Sequence, residues 1–150
     1  MWVLLFFTIL SVQFTATSSN RDLETLRQNY DRAIEDKELC QRMIKELESS
    51  TPTSVHLAYL GAFRAIWANH VFNPFAKLKT FNTGKADIES AVRKDPENVE
   101  IRFVRLSIQK NCPKFLGYND NIEEDTLYLE KSRDTVTSPT LARMIDDLIK

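Results

Sequence analysis

The chain has 150 residues, enough for one domain, with 43% hydrophobic and 27% charged residues, a formal charge of -1 and an isoelectric point of about 6.1. This balance gives no concentrated basic face, so nucleic acid is not an expected partner. Three glycines and five prolines are too few for a domain built on hairpins and tight turns, which predicts an all-α fold of about six to seven helices.

Met1 to Gln13 carry no charged side chain, and Trp2, Val3, Leu4, Leu5, Phe6, Phe7, Ile9 and Leu10 form an apolar block. The block is short for a bilayer span, which needs roughly 20 apolar residues, and it fits the core of a secretory signal peptide. The small polar run Thr15-Ala16-Thr17-Ser18-Ser19 follows, and Ala16-Thr17-Ser18 is the expected cleavage site. The reading is a signal peptide over 1–18 and a single helical domain over 19–150, exported to the periplasm or outside the cell, with no membrane span after signal removal. No Lys or Arg precedes the block, so a retained anchor or a buried first helix stays open.

In the mature chain, Leu23, Leu26, Tyr30 and Ala33 recur at helical spacing, predicting a helix over 20–34 with Asn20 as its N-cap. The charged run Glu35-Asp36-Lys37-Glu38 predicts a break before a second helix that ends near Glu48. Ser49 to Ser54 is a polar connector that offers caps for the next helix. That helix, about 53–71, is apolar nearly all round and therefore expected at the centre, with Gly61, Ala65 and Ala68 admitting a close neighbour. Asn73-Pro74 is expected to stop or bend it, leaving a stretched connection over 71–81. In that connection Phe72 and Phe75 are expected to plug the space between helix pairs. Further helices are predicted over 84–94, 99–110, 121–135 and 138–150. Pro96 should end the first of these, Asn98 should cap the second, and Pro139 sits in the first turn of the last. Cys40 and Cys112 lie on different predicted helices and read as free thiols, although export permits a disulfide. With His56 and His70 they show no zinc-site spacing.

The turn Asp95-Pro96-Glu97-Asn98-Val99-Glu100, with Ala91 and Pro96, Leu60 and Gly61, and Leu26 and Tyr30, resembles a degenerate tetratricopeptide repeat over residues 21–111. That resemblance implies antiparallel helix pairs stacked as a short right-handed solenoid. About eleven extra residues separate Leu60 from Ala91, and Arg102 and Arg105 stand where the repeat has large apolar side chains. Tyr59-Leu60-Gly61-Ala62, Asn73-Pro74-Phe75, Gly84-Lys85, the segment Asp95 to Phe103, and Phe115-Leu116-Gly117-Tyr118 are also similar to a family of small exported bacterial proteins of unassigned activity.

Arg102, Arg105 and Gln109 form a polar stripe at i, i+3 and i+7, flanked by Val99 and Leu106 on one side and Ile101 and Ile108 on the other. Half-buried arginines need partners, because an unpaired buried charge costs several kcal/mol. In the favoured reading they pair with Asp87, Glu89, Asp120 or Glu124. In the alternative they line a pocket with Tyr118 and grip an anionic ligand. Arg64 fits either scheme. His70, Asn73 and Lys77 lie in the stretched connection, and Phe115 to Tyr118 reads as a cap over the preceding helices or as a recognition loop. Arg64, His70, Asn73, Lys77, Arg102, Arg105, Gln109 and Tyr118 are thus the candidate binding surface. No nucleophile, base and orienting acid stand at a catalytic spacing, so no catalytic residue, metal or cofactor is assigned. The expected function is a non-catalytic scaffold or adaptor for a protein or peptide partner. The runner-up is a small-ligand binder or enzyme using the Arg102, Arg105 and Tyr118 pocket.

Overall fold

A computed structural model of the chain describes residues 15–51 and 53–150, with side chains from Asp22 onward. The apolar block of the expected signal peptide, within 1–14, lies outside the described residues. Those described fold into eight α-helices with no strand: α1 (Thr15–Tyr30), α2 (Arg32–Glu35), α3 (Lys37–Ser49), α4 (Ser54–Trp67), α5 (Pro74–Lys94), α6 (Val99–Asn111), α7 (Ile122–Ser132) and α8 (Pro139–Ile149). Three short 3-10 turns, Ala68–His70, Lys114–Leu116 and Arg133–Thr135, follow α4, α6 and α7.

Local chemistry sets most boundaries. Asp36, Thr53, Asn73, Asn98 and Ser138 each cap the helix that follows, their side chains accepting from backbone N–H groups of its first turn. Pro74 and Pro139 stand at first helical positions, where a missing N–H costs nothing. The expected roles of Asn98, Ser138-Pro139 and the connector before α4 hold.

Three expectations are corrected. Asn20 does not cap a helix, because α1 already runs through Thr15–Ser19, a stretch with no Gly or Pro to break it. The break expected over 35–38 narrows to Asp36, and a second interruption falls at Asp31. The stretched connection over 71–81 does not exist. Asn73 accepts from Phe75 N and Ala76 N at 3.0 Å, so Asn73-Pro74 starts α5, which continues for 21 residues through Gly84.

Gly84 is tolerated inside that helix because of its neighbour. A Cβ on Gly61 would sit 2.5 Å from the carbonyl oxygen of Gly84, and one on Gly84 would lie 2.8 Å from the Ala65 nitrogen. The two glycines therefore let the backbones of α4 and α5 touch, as the small residues of α4 suggested. Helix α4 is central and packs on α1, α2, α3, α5 and α6. Its Tyr59 and Phe63 are fully buried and meet Tyr30 edge-on, with ring centroids 5.7 and 5.9 Å away; Phe103 of α6 joins at 6.1 Å. Such pairs contribute about 0.5–1.5 kcal/mol each beyond area burial. The Tyr30 hydroxyl, buried in this cluster, bonds to Ser107 Oγ at 2.6 Å.

Cys40 and Cys112 are free thiols; Cys40 is buried and donates to Phe63 O, while Cys112 is half-buried. Burial pushes the Cys40 thiol up to about 12, so it stays protonated at neutral pH.

Candidate functional site

The polar stripe of α6 turns inward against α7. Arg105 forks onto Asp125, with Nε to Oδ2 at 2.7 Å and Nη2 to Oδ1 at 2.8 Å, and its Nη1 lies 3.5 Å from Glu89. Arg102 donates from Nη1 to Glu124 and to Asp125, both at 2.7 Å, and from Nε to Pro96 O at 2.8 Å. Its guanidinium lies over the Tyr128 ring, 5.2 Å from the centroid. Gln109 donates to Asn121 Oδ1 at 3.2 Å and accepts from Asn121 N at 3.3 Å. Asp125 is wholly buried, and three charge-assisted bonds hold it there. Burial, the largest single influence, opposes the charge on Arg105, but the hydrogen bonds to Asp125 together with the attraction of the Asp125 and Glu89 charges hold its pKa above the ordinary value.

Tyr118 joins the same network from the far side. Its hydroxyl donates to Glu89 at 2.7 Å, its ring packs on Phe81 at 6.2 Å, and Lys85 stands over it at 4.8 Å. Burial, then the bond to Glu89, pushes this phenol well up, so it remains a donor. Arg102, Arg105, Gln109 and Tyr118 are thus brought together, with their donors spent on Glu89, Asn121, Glu124 and Asp125. The segment 115–118 divides: Tyr118 is buried as a cap, while Phe115 is exposed.

The other candidates are placed apart. Arg64 bridges two helices, donating to Asp87 of α5 at 2.6 Å and to Glu48 of α3 at 2.8 Å. His70 packs half-buried against Trp67 at 5.7 Å, and its Nε2 has no hydrogen-bond partner among the described residues. Asn73 is the cap of α5, and Lys77 is an exposed residue of that helix. Phe72 and Phe75, expected as plugs, are instead 98% and 86% exposed, because α5 begins at Pro74 and carries them clear of the core.

A second buried ion cluster was missed by the sequence reading. Arg27 of α1 forks onto Glu100 of α6, Nε to Oε1 at 2.8 Å and Nη2 to Oε2 at 2.6 Å, and the buried Tyr59 hydroxyl donates to the same carboxylate at 2.8 Å. Arg27 also reaches Glu24 at 3.2 Å, which accepts from Ser138 and Thr140 at the start of α8. The hydroxyl of Thr140 above all, then the bonds from Arg27 and Ser138, holds the Glu24 carboxyl below its ordinary range. A signal existed: Leu23, Arg27 and Tyr30 share one helix face at i, i+4 and i+7, so Arg27 had to be as buried as its neighbours. An open cleft of about 1070 Å³ lies over this cluster, between α1, the start of α6 and the extended link Val136–Ser138.

Comparison with protein-family models, with curated proteins and with solved structures yields no match, so the functional reading rests on this geometry alone.

Proposed function

We propose that the chain is an exported, non-catalytic helical-repeat protein that binds a protein or peptide segment as a scaffold or adaptor. On this reading α3 to α6 form two antiparallel helix pairs of a short right-handed tetratricopeptide-like solenoid. The contacts of α4 with α3, α5 and α6 and the Gly61–Gly84 seam support it. The apolar block Trp2–Leu10 and the small residues after it support export.

The observation that carries the binding role is the cleft over Arg27 and Glu100. It is open along one side, and its rim mixes Val136 and Leu141 with Glu24, Asn98 and Ser138. Its floor is a fixed ion pair rather than a mobile charge, which suits recognition of backbone and small side chains more than chemistry. The competing pocket around Arg102, Arg105 and Tyr118 has its donors already occupied by carboxylates of this chain.

The test is display selection of random peptides on the full chain, followed by Val136→Arg, a substitution at the rim. Selected peptides should lose binding at least tenfold in the variant. Failure to select any peptide on a folded chain, or peptides indifferent to Val136→Arg, would sink the reading. Mass measurement of the exported form tests the compartment, and a mature protein that still begins at Met1 would refute signal cleavage.

A further inference from the structure

We propose that the end of the molecule formed by the start of α5 and the end of α6 is a docking surface for an anionic lipid membrane. Helices α5 and α6 pack together and are joined through the turn at 95–98, so the start of one and the end of the other lie toward the opposite end. Two contacts fix the level at which they meet: Phe81 and Lys85, about two and three turns into α5, both meet Tyr118, just beyond α6. With 21 residues against 13, α5 overshoots α6 by roughly 12 Å at 1.5 Å per residue.

On this end three phenylalanines stand out of the protein. Phe72 is 98% exposed, Phe75 86% and Phe115 86%, and Leu78, one turn after Phe75, is 46% exposed. Exposing one such ring is ordinary, but several on one end of a small domain mark a contact surface. Lysines are the charges nearest these rings along the chain, and the first carboxylates beyond them are Asp87, which is paired to Arg64, and the exposed Asp120. Segments 68–86 and 110–119 contain Lys77, Lys79, Lys85, Lys110 and Lys114 and no Asp or Glu. Among the described residues, Lys77, Lys79 and Lys114 enter no ion pair, in contrast to the arginines of the interior. Glu35 ends α2, Asp36 caps α3 and Glu38 lies in its first turn, on either side of Lys37, which stands over the Trp67 ring.

The form of the surface favours lipid over a protein groove. The groove beside Phe75, Leu78 and Lys79 is shallow and open, with little wall to hold a partner's anchor, and lipid accepts side chains one at a time. Lysine stems lie along apolar surface while their ammonium groups reach phosphate, which is how interfacial helices hold an anionic leaflet. No helix among the described residues is long and apolar enough to cross a membrane, so the contact is peripheral. The surface is separate from the peptide cleft, and either proposal stands without the other.

Flotation of the full chain with vesicles tests it, using phosphatidylcholine alone and equimolar phosphatidylcholine and phosphatidylglycerol. The triple variant Phe72→Ser/Phe75→Ser/Phe115→Ser should lower partition onto the anionic vesicles at least tenfold. Lys77→Glu/Lys79→Glu should remove the preference for anionic over neutral vesicles, and Leu127→Ser, an exposed leucine on α7, should change neither. All variants share the same N-terminus, and flotation with phosphatidylcholine alone reads any lipid affinity of the apolar block. The substituted side chains are exposed, and far-UV circular dichroism checks that each variant is folded. A triple variant that floats like the parent, or a parent that ignores anionic vesicles at low salt, overturns the proposal. So does a parent that ignores both vesicles but loses a protein partner in the triple variant.

Discussion

The two regions of the molecule that carry its charge use it in opposite ways. Between α1, α6 and α7 the cations are arginines: Arg27 and Arg105 fork onto carboxylates of the same chain, Arg102 donates to two of them, and the acceptors Glu100 and Asp125 are buried. Where α5 begins and α6 ends the cations are lysines, and the large apolar side chains beside them face outward. The division follows the chemistry of the two groups. A planar fork with several fixed donors satisfies a buried carboxylate, whereas a hydrated ammonium on a flexible stem suits a surface whose partner varies in position. Charge at the first region therefore serves stability, and charge at the second is left for contact.

The sharpest way to break this contrast is to remove an acceptor from the first region. Asp125→Ala leaves Arg105 in the interior without its fork and should cost about 3–5 kcal/mol in urea unfolding, as when one partner of a buried pair is deleted. Glu100→Ala should behave alike, since Arg27 and Tyr59 both depend on it. A loss below about 1 kcal/mol in both would mean that water replaces the carboxylate freely and that these charges are not structural. Next in size is Gly84→Ala at the seam between α4 and α5. The added methyl meets the Gly61 carbonyl and the Ala65 nitrogen, both backbone atoms, and overpacking of this kind costs about 1–3 kcal/mol in thermal unfolding.

Acid should separate the regions further, by a smaller amount. The side-chain bond from Thr140 lowers Glu24, and that from Arg102 lowers Glu124. A carboxylate held down in the folded state contributes stability that is complete above its unfolded pKa and is lost as pH falls through the folded one. Stability should therefore be level above about pH 5 and decline below the ordinary glutamate range, and Thr140→Val should flatten part of that decline. Stability that rises as the pH is lowered from neutrality to the glutamate range would contradict the sign. The smallest effect belongs to the second region: Phe72→Ser and Phe75→Ser should shift stability by no more than about 0.5 kcal/mol, as for ordinary surface changes. A larger loss would show that these rings support the fold.

The helical class, the central α4, the cap at Asn98, the proline in the first turn of α8, and the close seam at Gly61 were all legible because each depends on a few neighbouring residues. The partner of the arginine stripe was only half legible. Glu123-Glu124-Asp125 reads as an acidic first turn favoured by the helix dipole, and nothing local reveals that α7 turns Asp125 under α6. Asn73-Pro74 was legible as punctuation but not in direction, since the pair that stops one helix also caps and starts the next. Once that start was misplaced, Phe72 and Phe75 fell into an imagined gap instead of onto a free surface. Arg27 and Glu100 escaped notice because they lie 73 positions apart, and only their place on apolar faces hinted at burial.

The carboxylate of Glu24 is held by Arg27 of its own helix and by Ser138 and Thr140, more than a hundred positions along the chain. A row of helix pairs linked only to their neighbours would fray from its last member, each unit leaving at its own small cost. Here α8 also rests on α1, α6 and α7, and its release strips hydroxyl donors from a residue that steadies the buried Arg27. Opening the last helix and opening the interior thus become one event. The domain should unfold as a single cooperative unit, with amides of α8 exchanging no faster than those of α4.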